Sequence, residues 1–184
     1  SPNFIATNTR PATPPSLGAA TLKVGSANIL NYFNGNGAGG GFPTSRGADN
    51  LNEFNRQRAK IINGIVTGGA DVVGLMELED DGDGAASAIQ DLVNGLNAAT
   101  ASGTYDFVRS GDISTDQITV GMIYKPAAVE LLGTAAIPLN YGLGSYVPVG
   151  RSSLAQTIRQ KSNGAVFTLV INHFKSKGSS SGGT

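Results

Sequence analysis

The hydrophobic pattern along the chain changes period several times. Residues 22–29 alternate, with Leu22, Val24, Ser26 and Asn28 on one face of an extended segment and Lys23, Gly25, Ala27 and Ile29 on the other. A first strand ending near Asn28 is expected. Phe54, Arg58, Ile61, Ile62, Ile65 and Val66 then recur at helical spacing, which leaves Arg56 and Lys60 on the wet side, and Gly68-Gly69 supplies a stop. The nearly continuous apolar run at 71–76 suits a strand covered on both faces, with Glu77 at its C-terminal end. Ala88, Ile89, Leu92, Val93 and Leu96 predict a second amphipathic helix.

Beyond Tyr105 the signals are those of strands, at 105–108, 118–124, 129–137, 154–159 and 166–174, and no third helix is predicted. In the last of them Ala165, Phe167, Leu169, Ile171 and His173 share one face, and Val166, Thr168, Val170 and Asn172 share the other. His173 is therefore expected at the end of a packed strand. The proline-rich stretch 1–20 reads as a linker or arm, 34–50 as a long glycine-rich loop, and 178–184 as a Ser/Gly tail.

Composition sharpens this in a few places. The 26 glycines gather at 35–41, 142–150 and 178–183, so the loops are long. With 184 residues, 40% of them apolar and 14% charged, the chain suits one domain, or part of a larger one, that packs a core. Lys plus Arg balance Asp plus Glu at 13 each, so any nucleic-acid footprint has to be local. The absence of cysteine excludes disulfides, thiolate metal sites and a cysteine nucleophile. No apolar run approaches the roughly 18 residues of a membrane span, so no membrane partner is expected. A signal peptide, if the protein has one, lies outside this sequence.

Three polar residues, Asn28, Glu77 and His173, fall at the C-terminal ends of apolar strands, where crevices form in α/β sheets. Glu77 suits Mg²⁺ or Mn²⁺, which favour carboxylate, water and phosphate oxygens; the alternative is a solvated carboxylate. Glu79, Asp80, Asp81 and Asp83 read as a solvated acidic loop, with a calcium-binding turn as the alternative. His173, the single histidine, is the one imidazole available for proton transfer near neutral pH, unless it only satisfies a strand end. Asn28 carries the parallel ambiguity of a turn residue. Asn172, Lys175 and Lys177 suit phosphate oxygens or a solvated basic loop, and Arg151 suits a phosphate fork or an ordinary surface site.

Five segments in order carry a family resemblance: Ser26-Ala27-Asn28-Ile29-Leu30-Asn31-Tyr32-Phe33, Arg56-Gln57-Arg58-Ala59-Lys60-Ile61, Asp71-Val72-Val73-Gly74-Leu75-Met76-Glu77-Leu78-Glu79, Thr115-Asp116-Gln117-Ile118 with Val120-Gly121-Met122-Ile123-Tyr124, and Asn172-His173-Phe174-Lys175-Ser176-Lys177-Gly178. Together they resemble the endonuclease/exonuclease/phosphatase superfamily, in particular its large extracellular bacterial nucleases. The resemblance implies an α/β fold of two packed β-sheets flanked by helices, a four-layer sandwich of which residues 21–184 would hold the N-terminal half. It implies that Glu77 ligates a divalent metal, Mg²⁺ first with Mn²⁺ or Ca²⁺ as alternatives. It further implies that Asn28 and His173 are catalytic and that Arg151, Asp116, Asn172 and Lys175 lie on the substrate side.

The family's later Gly-Asp-x-Asn and Ser-Asp-His segments are not in this sequence. A complementary C-terminal segment or chain is therefore the expected partner. The activity implied is that of a secreted, metal-dependent phosphodiesterase acting on nucleic acid, DNA favoured. The alternatives are a phosphatase or phospholipase of the same superfamily, or a non-catalytic fragment or binding module.

Overall fold

Helix α1 (Leu51–Gly68) starts where its first turn satisfies its own free N–H groups. The Asn50 side chain accepts from Glu53 N at 3.0 Å, and the Glu53 carboxylate reaches back to Asp49 N at 2.9 Å, a reciprocal box that places negative charge at the positive end of the helix. It stops at Gly69, whose φ of 65° is left-handed and whose N–H bonds the carbonyls of Ile65 and Val66. Helix α2 (Ala88–Ala99) is capped by Ser87, and both Asp81 carboxylate oxygens accept from Ala88 N at 3.2 and 3.0 Å. The computed structural model describes residues 13, 15–114, 116–137 and 152–174.

The strands are β1 (Val24–Tyr32), β2 (Val72–Glu79), β3 (Asp106–Phe107), β4 (Ile118–Tyr124), β5 (Val129–Ala136), β6 (Leu154–Gln160) and β7 (Val166–Ile171). Among the described residues they form two sheets, ordered β1-β2-β4-β3 and β5-β6-β7. β1 runs parallel to β2, as an intervening helix requires, and the other pairs are antiparallel. The two sheets pack face to face with helices outside the first, so the expected α/β sandwich is present, with helix, sheet and sheet layers among the described residues.

Alternation along β2 divides its side chains between two cores. Val73, Leu75 and Leu78 join Ile29, Tyr32, Phe54, Leu92 and Leu96 beneath the helices. Val72 and Met76 face the second sheet with Val120, Met122, Leu154 and Ile158. A strand buried on both sides is what the continuous apolar run at 71–76 predicts. A half-buried set ties the helices to β1: Tyr32 Oη donates to Asp91 at 2.5 Å, and Arg58 Nε meets the same carboxylate at 2.8 Å.

Three expected boundaries differ. β1 continues past Asn28 to Tyr32, and β2 continues through Glu77 to Glu79, because in both strands the interruption is a bulge rather than an end. β7 ends at Ile171, so His173 sits two residues beyond the ladder. Most of the predicted arm at 1–20 and all of the tail at 178–184 lie outside the described residues.

The sheets approach most closely where β2 carries glycine. A Cβ on Gly74 would overlap Ile171 Cδ1 and come within 3.2 and 3.3 Å of Cγ1 and Cγ2 of the same side chain. Gly74→Ala is expected to cost about 1–3 kcal/mol, the usual range for overpacking a filled core. Ile171→Val, which removes the clashing methyl, should recover part of that loss. Urea denaturation of both variants and their combination measures it, and an additive double variant would show that the contact is not the source.

Candidate active site

Glu77 is the extra residue of the bulge in β2. Met76 pairs with Val120 and Leu78 with Thr119, which leaves Glu77 without a partner on β4. Its φ is 63°, a left-handed conformation that costs a non-glycine residue roughly 1–2 kcal/mol. The inserted residue also changes the parity of the strand, so Leu78 returns to the helix-side core while the Glu77 carboxylate lies beside His173. Glu77 Oε1 is 3.7 Å from His173 Nε2, with side-chain exposures of 20% and 14%. That distance is too long for a direct hydrogen bond and leaves the two side chains as near neighbours. Two residues 96 positions apart in sequence, one on β2 and one just beyond β7, are thus brought side by side.

Asn28 lies one strand over, where β1 pairs it with Met76, the residue before Glu77. Its Oδ1 accepts from Leu30 N at 2.9 Å, closing a tight turn through Leu30 and Asn31, at φ 56° and 48°. The Asn28 Nδ2 donors have no partner among the described residues. Gln57 of α1 clamps the turn, donating from Nε2 to Ile29 O at 3.0 Å and Leu30 O at 2.6 Å. Neither the left-handed pair nor the role of Gln57 is signalled by hydrophobic pattern, although Gln57 lies within a segment that carries the family resemblance.

The other expected site residues divide. Asp116 forms an ion pair with Arg46 at 2.8 Å, so it holds a cation in place. The Asn172 Oδ1 accepts from Ser153 Oγ at 2.6 Å, on the exposed side of the chain leading to His173. Arg151, Lys175 and Lys177 lie outside the described residues. Arg46 was not singled out by the sequence pattern.

The acidic run 79–83 is not the solvated loop that its composition suggests. Glu79 accepts from Asn34 N at 3.2 Å, Asp80 from Ile113 N and Ser114 N at 3.4 and 3.0 Å, and Asp83 from Gly111 N at 3.0 Å. These carboxylates bind loop backbone to the end of β2. Burial pushes Glu79 up to about 7, helped by the charge of Asp81 and opposed by the Asn34 bond. Burial also pushes Asp80 up to about 6, reinforced by a hydrogen bond to Asp112 and its like charge. Among the described residues no three histidine, cysteine, aspartate or glutamate side chains converge as a metal site.

No family model and no curated protein matches the sequence. Solved structures do match. An endonuclease/exonuclease/phosphatase from Bacteroides vulgatus is 18% identical with a TM-score of 0.51, over 81% of this chain and 51% of its own. The human nocturnin catalytic domain with a bound sulfate anion is 16% identical with a TM-score of 0.56, over 86% of this chain and 52% of its own. The chain has the fold of the endonuclease/exonuclease/phosphatase proteins, and it spans about half the length of these solved chains.

Because the folded-state pKa of Asp80 lies above its ordinary value, the folded protein binds more protons than the unfolded chain between about pH 4 and 6. The stability contributed by that protonation is present below this window and is lost as pH rises through it. The Ile113 and Ser114 amides bond different oxygens of Asp80, so Asp80→Asn keeps an acceptor for one of them, at some cost at every pH, and cannot ionise. Its stability should therefore fall less than the parent's from pH 4 to 7. Urea midpoints across that range test this, and parallel curves would refute it.

Proposed function

We propose that the chain forms the N-terminal half of a divalent-metal-dependent phosphodiesterase that hydrolyses nucleic acid, DNA in preference. The observation that carries the reading is the Glu77–His173 pair, 3.7 Å apart and contributed by separate sheets. A carboxylate held on a left-handed bulge beside the single imidazole is retained backbone strain, and such strain clusters at functional sites. The fold hosts a sulfate in nocturnin, and a sulfate resembles a phosphate in shape and charge.

Glu77 fits a hard divalent ion. With no second carboxylate converging among the described residues, water and substrate oxygens would complete the shell, as is common for Mg²⁺. Such an ion supplies charge that polarises a phosphate ester and stabilises the developing negative charge. Asn28 Nδ2 donates to a phosphate oxygen or to the attacking water and orients it. His173, with its imidazole near the Glu77 charge, donates to a phosphate oxygen and follows the proton as the ester breaks. Gln57 keeps Asn28 in register by fixing the carbonyls on either side of its turn.

Groups from a complementary segment complete this reaction in the reading proposed here, because the described residues bring together one carboxylate, one imidazole and one amide. The outer face of β7 is consistent with a further partner there, since Val166 and Val170 are 53% and 51% exposed and Phe174, just beyond the strand, is 84% exposed. An extracellular location follows the resemblance to secreted nucleases. Among the described residues, no helix is long and apolar enough to cross a membrane.

Glu77→Gln removes the charge at nearly constant shape and should weaken Mg²⁺ binding by roughly tenfold or more. Titration calorimetry reads this directly, and unchanged affinity would make Glu77 a structural carboxylate. In the chain completed by its complementary segment, His173→Ala should lower turnover on DNA by roughly a hundredfold while the melting temperature holds. Full turnover with a lowered melting temperature would assign the histidine to structure instead.

A further inference from the structure

The face of α1 that carries Glu53, Arg56, Gln57 and Lys60 lines a cleft of about 450 Å³ with Leu30, Arg46, Gly47 and Ala48. The spacing of three and four residues puts these side chains on one stripe of the helix. Their charges are not equivalent. Glu53 is committed to the helix start through Asp49 N, and Arg46 is fixed by Asp116 at 2.8 Å. Arg56 and Lys60 are exposed and have no ion-pair partner among the described residues. Placed one turn apart, they give the cleft two available cations about 5–6 Å from each other at Cβ.

The cleft is joined to the catalytic group by covalent and hydrogen-bonded links. Leu30, on its rim, follows Asn28 by two residues, at most about 7 Å of chain. Its amide is held by Asn28 Oδ1, and its carbonyl by Gln57 from the cleft wall. Leu30 is also 70% exposed, an apolar surface on the cleft lining.

We infer that this cleft is a subsite for the sugar-phosphate backbone of a nucleic-acid strand flanking the scissile bond. Arg56 and Lys60 each meet a phosphate, and Leu30 packs against a sugar or base. A polymer is favoured over a free phosphate because the two cations lie outside the catalytic group, and at about 3.4 Å of axial rise per nucleotide the gap corresponds to roughly two nucleotides. A concave cleft carrying two cations also suits a strand better than a flat lipid surface. The inference rests on the nuclease reading and adds where the strand runs.

The test compares the full chain with Arg56→Ala/Lys60→Ala, measuring fluorescence anisotropy of a labelled DNA oligonucleotide across a salt series in Ca²⁺. Removing two phosphate contacts should weaken binding by tenfold or more near 0.1 M salt and reduce the slope of log K against log salt by about 1.4–1.8. Arg56→Lys/Lys60→Arg should retain most of the affinity. Parent-like affinity and slope in the alanine variant would overturn the subsite. Equal weakening of inorganic phosphate binding would do so too, because it would place the effect on single anions. Failure of the nuclease reading shows elsewhere: bis(p-nitrophenyl) phosphate is a diester too short to reach the cleft, and that reading fails if the chain combined with its complementary segment does not hydrolyse it with Mg²⁺.

Discussion

The close approach of β2 and β7 is the constraint on which the site depends. Gly74 lets the Ile171 side chain lie against the β2 backbone, and no larger residue fits without displacement. Three residues after Gly74 comes Glu77, and two residues after Ile171 comes His173. A contact between sheets at the level of a missing methyl group therefore sets the distance between the two groups to which chemistry is assigned. Cores are packed densely enough that such a contact transmits small shifts rather than absorbing them.

Close approach alone would not bring the carboxylate to the histidine. In an unbroken strand, residue 77 would lie on the same face as Val73 and Leu75, beneath the helices, where an ionised carboxylate is costly. The bulge removes that conflict. It inserts one residue, takes Glu77 out of the ladder, and returns Leu78 to the helix-side core. The Asn28 turn resolves a related problem on β1, where left-handed Leu30 and Asn31 shift the register so that Tyr32 is buried and Asn28 stays at the surface. Both irregularities cost backbone energy, and both occur beside the candidate catalytic groups.

Much of the architecture is legible in the sequence because burial imposes a period. The Phe54 to Val66 stripe, the double-faced run at 71–76 and the alternation leading to His173 each correspond to an observed element of the expected type. The Glu77 and Asn28 positions are legible as polar residues interrupting apolar strands. What is not legible is how the strands are interrupted. A glutamate with φ of 63° carries no local signal, since its residue type gives no preference for that conformation, so an end was the natural expectation where the chain makes a bulge. The acidic run at 79–83 misled for a related reason: charge in sequence suggests water, but these carboxylates are held by backbone amides from three loops.

That acidic run also explains how a strained strand end is kept in place. Glu79, Asp80, Asp81 and Asp83 accept amides from Asn34, from Ile113 and Ser114, from Ala88, and from Gly111, so the segment just beyond Glu77 is tied to the β1 exit loop, the start of α2 and the loop before β4. Apart from the Asp112 side chain that also bonds Asp80, these partners are backbone N–H groups, which fixes the loops with little demand for particular side chains. The raised pKa values of Glu79 and Asp80 measure the cost of this arrangement, since burial and neighbouring carboxylates oppose ionisation more than the amides favour it. A strand end held by four such anchors can keep Glu77 in an unfavourable conformation, whereas a loosely attached one would relax. The acidity near the candidate site is thus spent on rigidity, leaving Glu77 as the carboxylate beside the imidazole.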